Sequence, residues 1–338
     1  MWRSVGLWFG IGLCLLAKGV FADATLLQRK GVDLFIQELV KEHHFTRQEV
    51  VNALREARYQ PQIIESMERP YEKKSWDAYQ AVFLTPQRLH EGLQFWQQNH
   101  EALLKAEKKY DVPASMIVAI IGVETLYGKH QGTYRVLDAL STLAFYYPKR
   151  SAFFTKELKE YFLLCREHHV PLITYKGSYA GAMGKPQFMP SSYRFYAVDF
   201  IGKGHANLME DDNDAIGSVA NYFHQHGWKK NQLVAQPVAL HGRQYKSFST
   251  NARSPEYPYW RLVNAGVVPK PQSSRHPDKA GLIELSTKEG LVYWMAYPNF
   301  YVITRYNTSP QYALVVHMLS SELQNQWATL SHRHVKHV

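Results

Sequence analysis

Apolar side chains recur at helical spacing through the first third of the chain. From Val32 the apolar positions continue at Phe35 and Leu39, three and four residues apart, which is the period of a helix with one buried face. Thr46 is placed to cap a following helix, because its hydroxyl can accept from a backbone N–H of the first turn. The pattern continues to about Lys109 without a metal-ligand or nucleophile motif, so we expect a helical scaffold here.

A second helical region is predicted from Asp111 to about Trp228. Two glycine-containing stretches, at 177–184 and 202–204, interrupt it. Helical spacing returns from Thr304 and gives way to a basic tail that carries histidines. The chain is therefore predicted to be mainly helical.

Residues 231–298 differ in character from the segments on either side. Prolines recur there among short β-prone runs, namely Leu233–Leu240, Gly281–Ser286 and Leu291–Tyr297. We expect a small β unit between helical parts. No internal repeat of roughly 20 to 50 residues occurs, which excludes a solenoid.

The first 22 residues have the pattern of a secretory signal peptide. Arg3 precedes an apolar run from Val5 to Leu16, and Val20 and Ala22 occupy the −3 and −1 positions of a cleavage site. The run is short for a membrane span. We expect cleavage after Ala22 and export of the mature chain.

The cysteines leave a second interpretation open. Cys14 could carry a lipid that tethers the protein to a membrane, but Leu13 precedes it, where a lipidated cysteine normally follows a small residue. Simple cleavage is therefore favoured. Cys165 is then the only cysteine of the mature chain, and we expect it to be a small buried apolar residue.

The charge of the chain points to a polyanionic partner. The 338 residues carry a formal charge of +10, and removal of the first 22, with Arg3 and Lys18, lowers it to +8. The basic residues are dispersed, so the charge does not identify the polyanion. Export disfavours nucleic acid and leaves anionic lipid and acidic glycan.

One carboxylate stands in an apolar helix. The segment from Asp111 to Gly128 predicts a helix with Asp111 as N-cap, Pro113 in the first turn and Gly128 at the C-terminal end. Glu124 shares its apolar face, where lost hydration raises the pKa and favours a protonated general acid. A structural glutamate, satisfied by an arginine or by backbone donors, remains the alternative from this segment alone.

The stretch from Ser178 to Pro190 is a second candidate site. Its glycines permit tight turns, while Ser178, Tyr179, Gln187 and Phe188 offer hydrogen bonds and aromatic faces that suit a sugar. The Gly-Ser-x-x-Gly spacing is not that of a nucleophile elbow, which disfavours a serine hydrolase.

Metal sites are not predicted. No His-Glu-x-x-His motif occurs among the 16 histidines, and the cysteines cannot build a zinc site. The segment Asp199–Glu210 fits a calcium loop at Gly204, the sixth place, but Ile201 and Lys203 stand where oxygen ligands are needed. We expect no metal and no cofactor.

Taken together, four motifs resemble those of the lytic murein transglycosylases of the membrane-bound type B class, glycoside hydrolase family 103. The motifs are Gly122-Val-Glu-Thr-Leu-Tyr-Gly128, the segment from Ser178 to Tyr193, the segment from Asp214 to Trp228, and Thr304-Arg-Tyr-Asn307. The resemblance covers nearly the whole mature chain and is highly specific.

The resemblance implies a mainly α (α+β) fold, with a lysozyme-like core, an N-terminal helical domain and a small inserted antiparallel β domain. The predicted divisions are a signal peptide at 1–22, the helical domain at 23–109, the catalytic core at 110–230, the β domain at 231–298, a return to the core at 299–328 and a basic tail at 329–338.

The implied reaction cleaves the β-1,4 bond between N-acetylmuramic acid and N-acetylglucosamine without water and leaves a 1,6-anhydromuramic end. Glu124 matches the catalytic acid and base of the family. One acid is enough, because the sugar's own C6 hydroxyl replaces the water that two-carboxylate hydrolases activate.

The other site residues are also implied by the resemblance. Ser178 and Asn307 match polar groups near the reacting sugar. Further substrate-binding positions are Gln187, Phe188, Tyr222, Tyr306, Tyr312, Tyr79 and Arg150. Lys149 stands where a family member has Arg, which keeps the charge but loses a bidentate grip. Some family members bind a metal at Asp199–Glu210, and here the Lys203 ammonium is a candidate replacement.

Two other functions stay open. A hydrolytic muramidase would cut the same bond but leave a reducing end, and a non-catalytic cell-wall binding protein would gain nothing from a carboxylate on an apolar face. We expect a monomer whose partners are peptidoglycan glycan strands, with cell-wall synthesis proteins as further candidates and no nucleic acid.

Overall fold

A computed structural model describes residues 26–68, 74–271 and 276–335, with side chains up to 331. The predicted signal peptide and Cys14 lie outside the described residues. Helices of the N-terminal part are α1 Val32–His43, α2 Arg47–Glu56, α3 Pro61–Met67, α4 Trp76–Phe83, α5 Pro86–Gln98 and α6 His100–Tyr110.

The predicted cap of α2 is confirmed. The Thr46 hydroxyl accepts from the backbone N–H of Glu49 at 3.2 Å, and the Glu49 carboxylate accepts from the backbone N–H of Thr46 at 2.7 Å. This reciprocal pair satisfies two donors that the helix itself leaves unpaired. The helix therefore begins at the residue that the sequence indicated.

The second helical region forms the centre of the molecule. Its elements are α7 Ala114–Thr125, β1 Tyr134–Arg135, α8 Val136–Tyr146, α9 Ser151–Glu167, β2 Lys176–Gly177, α10 Pro190–Tyr196 and α11 Asp212–Gln225. The two short strands β1 and β2 pair antiparallel although α8 and α9 lie between them in sequence. The glycine-containing stretch therefore begins on a paired strand and not in a loop. Cys165, on α9, is buried and free of any disulfide, as predicted.

Helix α7 is the buried axis of this core. α5, α6, α11 and the C-terminal helix pack around it, so that all of its residues are fully buried except Glu124, which is partly buried. A helix that is apolar on every side belongs in the interior of a protein. The sequence placed Glu124 on one apolar face, whereas the structure surrounds the whole helix with apolar contacts.

The ends of α7 differ from the prediction. Asp111 was expected as the N-cap, but it adopts a left-handed conformation with φ of 59° and ends α6 instead. Pro113 is the N-cap, and the Glu107 carboxylate accepts from the N–H of Ala114 at 3.1 Å. At the other end Leu126, with φ of 50°, stops the helix before Gly128 is reached.

The predicted β unit is a five-stranded antiparallel sheet in the order β4-β6-β7-β3-β5. Its elements are β3 Ala235–Leu240, β4 Tyr257–Pro258, α12 Tyr259–Asn264, β5 Val267–Pro269, β6 Lys279–Thr287 and β7 Gly290–Ala296. The three predicted runs correspond to β3, β6 and β7. Leu262, Leu282 and Met295 are among the residues of a small separate core beneath the sheet.

The last two helices, α13 Pro298–Tyr306 and α14 Pro310–Val335, return to the helical core. α14 packs along α7 and contributes Leu314, Val315 and Leu319 to the buried interior. The end of the chain thus completes the core around α7. Within the described ranges, no helix is both long and apolar enough to cross a membrane.

Candidate functional site

A groove of about 1110 Å³ runs between the helical core and the β sheet unit. Its walls come from α7, α9, the stretch between β2 and α10, α11, β6 and the turn between α13 and α14. Two smaller cavities lie elsewhere: one of about 490 Å³ between α1 and α2, and one of about 380 Å³ on the β unit. A groove of this volume can hold several sugar rings.

The structure brings most of the predicted site residues together. Those that line the groove are Glu124, Arg150, Ser178, Gln187, Phe188, Tyr222, Tyr306 and Asn307. Tyr312 contacts Glu124 directly. Tyr79 is 2% exposed and lies beside Phe83, with ring centroids 5.1 Å apart, so its side chain is buried and does not line the groove.

Glu124 meets the groove at the last turn of α7. Burial raises the pKa of its carboxyl from 4.5 to about 7, although the hydrogen bond from the Tyr312 hydroxyl, at 2.5 Å, acts in the opposite direction. Among the described residues no cation pairs with this carboxyl, which removes the alternative of a glutamate satisfied by an arginine. Glu124 can therefore hold a proton near neutral pH and deliver it into the groove.

Aromatic rings form the wall beside Glu124. The ring of Tyr306 lies 4.9 Å from that of Tyr222, 5.7 Å from Phe188 and 6.5 Å from Tyr312, measured between centroids. Two hydroxyls are engaged by the protein, because Tyr222 donates to the carbonyl of Arg305 and Tyr306 donates to that of Pro186. These contacts fix the rings, whose faces suit packing against sugars.

The polar residues of the groove are also held in place. The Ser178 hydroxyl oxygen accepts from the N–H groups of Ala182 at 3.1 Å and Ala180 at 3.3 Å. Asn307 Oδ1 accepts from the N–H of Ser309 at 3.0 Å. The side-chain oxygens of Ser178 and Asn307 therefore both accept from the protein backbone. The Ser178 hydroxyl proton and the Asn307 amide NH₂ group remain as donors for a ligand.

Gln187 and Arg150 take different positions in the lining. Gln187, in a left-handed conformation with φ of 50°, donates from Nε2 to the carbonyls of Gln131 at 3.1 Å and Gly184 at 3.0 Å. The guanidinium of Arg150 is exposed over the Phe153 ring, 4.5 Å from its centroid. Lys149, by contrast, pairs with Glu68 at 2.8 Å. Arg150 is thus the member of this basic pair that lines the groove.

The sequence missed a support behind Glu124. Arg88 donates from Nε to the carbonyl of Gly122 at 3.0 Å and from NH1 to the carbonyls of Val82 and Phe83. The Tyr127 hydroxyl in turn donates to the carbonyl of Arg88 at 2.8 Å. The glycine and tyrosine of the α7 motif were visible in the sequence, but their partner on α5 was not.

The sequence also missed the contribution of the β unit to the groove. Asn251, Glu284, Leu285 and Ser286 line the wall that faces the helical core. Glu157, on α9, lines the groove as well and accepts from Ser191 on both carboxylate oxygens. None of these residues belongs to a recognisable motif, and only the packing of the sheet against the core brings the strand residues to the site.

The residues of the Asp199–Glu210 loop do not fit a metal ion. Both carboxylate oxygens of Asp199 accept backbone N–H groups, from Gly202 and Lys203 at 2.8 Å and from Gly204 at 2.6 Å. The Lys203 ammonium pairs with Asp211 at 2.8 Å, a residue just beyond the loop. The loop is thus closed by backbone donors and an ion pair, and we derive no chemistry through a metal here.

A helical core built around a buried helix, with a protonatable carboxyl at the base of a long groove, is the arrangement of lysozyme-like enzymes that act on glycans. Comparisons with known proteins agree. The Transglycosylase SLT domain family matches residues 28–321. Membrane-bound lytic murein transglycosylase B of Escherichia coli (strain K12) is 42% identical over 295 residues, covering 84% of this chain and 80% of that protein.

Solved structures show the same similarity. Soluble lytic transglycosylase SltB1 from Pseudomonas aeruginosa superposes with a TM-score of 0.81 at 42% identity, covering 87% of this chain and 98% of that one. SltB3 from the same organism, in complex with NAG-NAM-pentapeptide, gives a TM-score of 0.76 at 30% identity, covering 86% and 78%. The chain belongs to the Transglycosylase SLT domain family, and its predicted lysozyme-like, mainly helical fold class is confirmed.

Proposed function

We propose that this protein is a peptidoglycan lytic transglycosylase that cleaves the β-1,4 bond between N-acetylmuramic acid and N-acetylglucosamine. The observation that carries the proposal is Glu124, a carboxyl in the groove whose pKa is raised by burial to about 7. The relatives named as lytic transglycosylases, and the muropeptide held by SltB3, support the substrate class.

In the proposed reaction, protonated Glu124 donates its proton to the glycosidic oxygen as the bond from that oxygen to C1 of the muramic sugar breaks. Positive charge develops at C1. The C6 hydroxyl of the same sugar then attacks C1 and returns a proton to the Glu124 carboxylate, which closes the 1,6-anhydro ring. No water is consumed, and Glu124 ends the cycle protonated as it began.

In the described part of the groove no second acid has the setting of Glu124, which supports a transglycosylase over a hydrolase. Hydrolysis with two carboxylates needs a nucleophile or a base in addition to the acid. Glu157 lines the groove, but both of its oxygens accept from Ser191, through the backbone N–H at 2.9 Å and the hydroxyl at 2.7 Å. Glu284 also lines the groove, but it belongs to strand β6, and its carboxylate accepts from Tyr293 of β7. Glu124 is the groove carboxyl that contacts the tyrosine wall, through Tyr312.

The remaining site residues are proposed to bind the glycan. Ser178 and Asn307 present donors to the reacting sugar. The half-buried Tyr306, backed by the buried rings of Phe188 and Tyr222, packs against a neighbouring sugar ring. Arg150 offers a cation to carboxylates of the peptide stem. Tyr312 orients the Glu124 carboxyl, and Tyr79 packs behind it.

We also propose export by a cleaved signal peptide and action in the periplasm as a monomer, with wall-synthesis proteins as candidate partners. The formal charge of +10, or +8 without the first 22 residues, favours long-range attraction to the carboxylates of peptidoglycan. Specificity resides in the groove.

Mass spectrometry of digested sacculi tests the proposal, since anhydro and hydrated products differ by one water. We expect anhydro-ended muropeptides from the wild type and a loss of at least about 100-fold in turnover for Glu124→Gln, with glycan binding retained. Glu101→Gln, an exposed glutamate on α6, is the matched control. Reducing-end products would indicate a muramidase, and binding without either product would indicate a cell-wall binding protein.

A further inference from the structure

The groove carries more charge than a glycan backbone requires. The sugars of a peptidoglycan strand are neutral where the lactyl carboxyl of muramic acid is amide-linked to a peptide stem. Nevertheless, the groove is lined by several charged residues: Arg150, Arg305, Lys74, Glu284, Glu124 and Glu157. The charged part of a muropeptide is its peptide stem, which has carboxylates and, where a diamino acid is present, a primary ammonium. The mixed charge of the lining fits such a stem.

Glu284 is the third carboxylate of the groove, beside Glu124 and Glu157. Glu124 is assigned to proton transfer, and Glu157 is engaged by Ser191. Glu284 Oε2 accepts from the Tyr293 hydroxyl at 2.7 Å, and within the described ranges its carboxylate forms no salt bridge. A half-buried carboxylate that is oriented by a neutral donor can accept a cation at its remaining lone pairs.

Three sets of contacts position Glu284 and the hairpin that carries it. Glu284 lies directly opposite Tyr293 in the β6–β7 ladder. The Asn251 side chain bridges its backbone, donating from Nδ2 to the Glu284 carbonyl at 3.0 Å and accepting on Oδ1 from the Glu284 N–H at 3.1 Å. At the hairpin turn the Lys288 N–H donates to Asp77 of α4 at 3.2 Å, which ties the strands to the helical domain.

We infer that Glu284 binds a primary ammonium group on the peptide stem of the substrate and so makes the enzyme selective for stems with a free amine. This inference rests on the proposed function. The ammonium donates to the carboxylate oxygen that Tyr293 leaves open, while Arg150 is available to a stem carboxylate elsewhere in the groove.

A sugar hydroxyl is the competing ligand for Glu284. A hydroxyl or acetamide N–H would also donate to this carboxylate, but it would leave the negative charge uncompensated as the groove loses water. An ammonium compensates the charge and forms a charge-assisted hydrogen bond. The two ligands are distinguished by the substrate, because acetylation removes the ammonium and leaves the sugars unchanged.

The experiment compares kcat/KM on three soluble substrates prepared from one batch of murein strands: strands with free stem amines, the same strands N-acetylated with acetic anhydride, and peptide-free glycan. We expect the wild type to prefer free-amine strands over acetylated ones by about three- to ten-fold. In Glu284→Gln this ratio should fall toward one. Tyr293→Phe, which frees the carboxylate from its holding donor, should reduce the ratio by less.

Glu289→Gln, an exposed glutamate on the same hairpin, is the matched control and should keep the wild-type ratio. The inference is overturned if the wild type does not discriminate between free-amine and acetylated strands, or if Glu284→Gln keeps the wild-type ratio. It is also overturned if Glu284→Gln loses the same fraction of activity on all three substrates, since Glu284 would then bind sugar. Failure of the proposed function would give a different result, because the wild type would then produce anhydro ends from none of the three substrates.

Discussion

The Tyr312 hydroxyl donates to Glu124 Oε1 at 2.5 Å, joining the first turn of α14 to the last turn of α7 across 188 residues of sequence. Burial also raises the pKa of the Tyr312 hydroxyl well above its usual range, so this group keeps its proton and remains a donor at neutral pH. The contact holds the carboxyl in one orientation and partly opposes the effect of burial on its pKa.

Replacement of Tyr312 by Phe is expected to move the pH dependence of the reaction. The hydrogen bond favours the ionised form of Glu124, so its removal raises the Glu124 pKa further. We expect the alkaline limb of kcat/KM to fall near pH 7 in the wild type, where Glu124 loses its proton, and to shift to higher pH in Tyr312→Phe. We also expect kcat/KM at its optimum to fall by about 10- to 100-fold, because the carboxyl loses its orientation.

Tyr59→Phe serves as the control, since Tyr59 is 42% exposed and stacks on Tyr146 outside the groove. It should leave the pH profile unchanged. A Tyr312→Phe enzyme that is slower but has the wild-type profile would show that the hydroxyl does not act on the Glu124 proton.

Glu124→Gln should abolish activity and stabilise the fold at alkaline pH. In the folded protein burial raises the Glu124 pKa to about 7, whereas its ordinary value is 4.5. The unfolded chain thus loses its proton first, and Glu124 lowers the free energy of unfolding progressively as the pH rises from about 4.5 to about 7. Glutamine does not ionise, so the free energy of unfolding of the variant should exceed that of the wild type by on the order of 1–3 kcal/mol at pH 8.

Urea unfolding of both proteins at pH 4 and pH 8 measures this difference. At pH 4 the carboxyl is protonated in either state, so the two curves should nearly coincide. A variant that is equally or less stable than the wild type at pH 8 would contradict the raised pKa.

Gly122→Ala is expected to destabilise the protein although alanine favours helices. A Cβ at Gly122 would lie 2.5 Å from the Tyr127 hydroxyl oxygen, and Tyr127 is held by its hydrogen bond to the Arg88 carbonyl and by stacking on Phe95. We expect the free energy of unfolding to fall by about 1–3 kcal/mol. We also expect a lower kcat, since Glu124 is two residues away. In a Tyr127→Ala background the same change should lower the free energy of unfolding by less. A double-mutant cycle that shows no coupling between the two positions would argue against the clash.

Calcium should not bind the Asp199–Glu210 loop. Asp199 already accepts three backbone N–H groups, and Lys203 pairs with Asp211, whose pKa lies at about 2 because hydrogen bonds from Lys203 and Asn213 outweigh its burial. Calorimetry at roughly 1 mM Ca²⁺ should detect no binding by the wild type.

A double variant, Ile201→Asn with Lys203→Asp, supplies oxygen at the third and fifth places of the loop. It should gain calcium binding and a calcium-dependent rise in melting temperature. Tight binding by the wild type would show that Lys203 is displaced by the ion.

Local sequence was sufficient where the determining contacts are themselves local. The helical segments, the Thr46 cap of α2 and strands β3, β6 and β7 were predicted because periodicity, capping and β-propensity act over a few residues. The ends of α7 were predicted wrongly, since Glu107 and the left-handed residues Asp111 and Leu126 set them, and several side chains could have served as the cap.

The sequence by itself determined that a carboxylate stands in an apolar helix, and the resemblance of its motifs indicated the reaction. Only the tertiary structure decided what that carboxylate meets. Tyr312 reaches Glu124 because α14 packs along α7, and Glu284 reaches the groove because the β6–β7 hairpin is tied to α4. Such pairings depend on the packing of whole elements, which no pattern of neighbouring residues specifies.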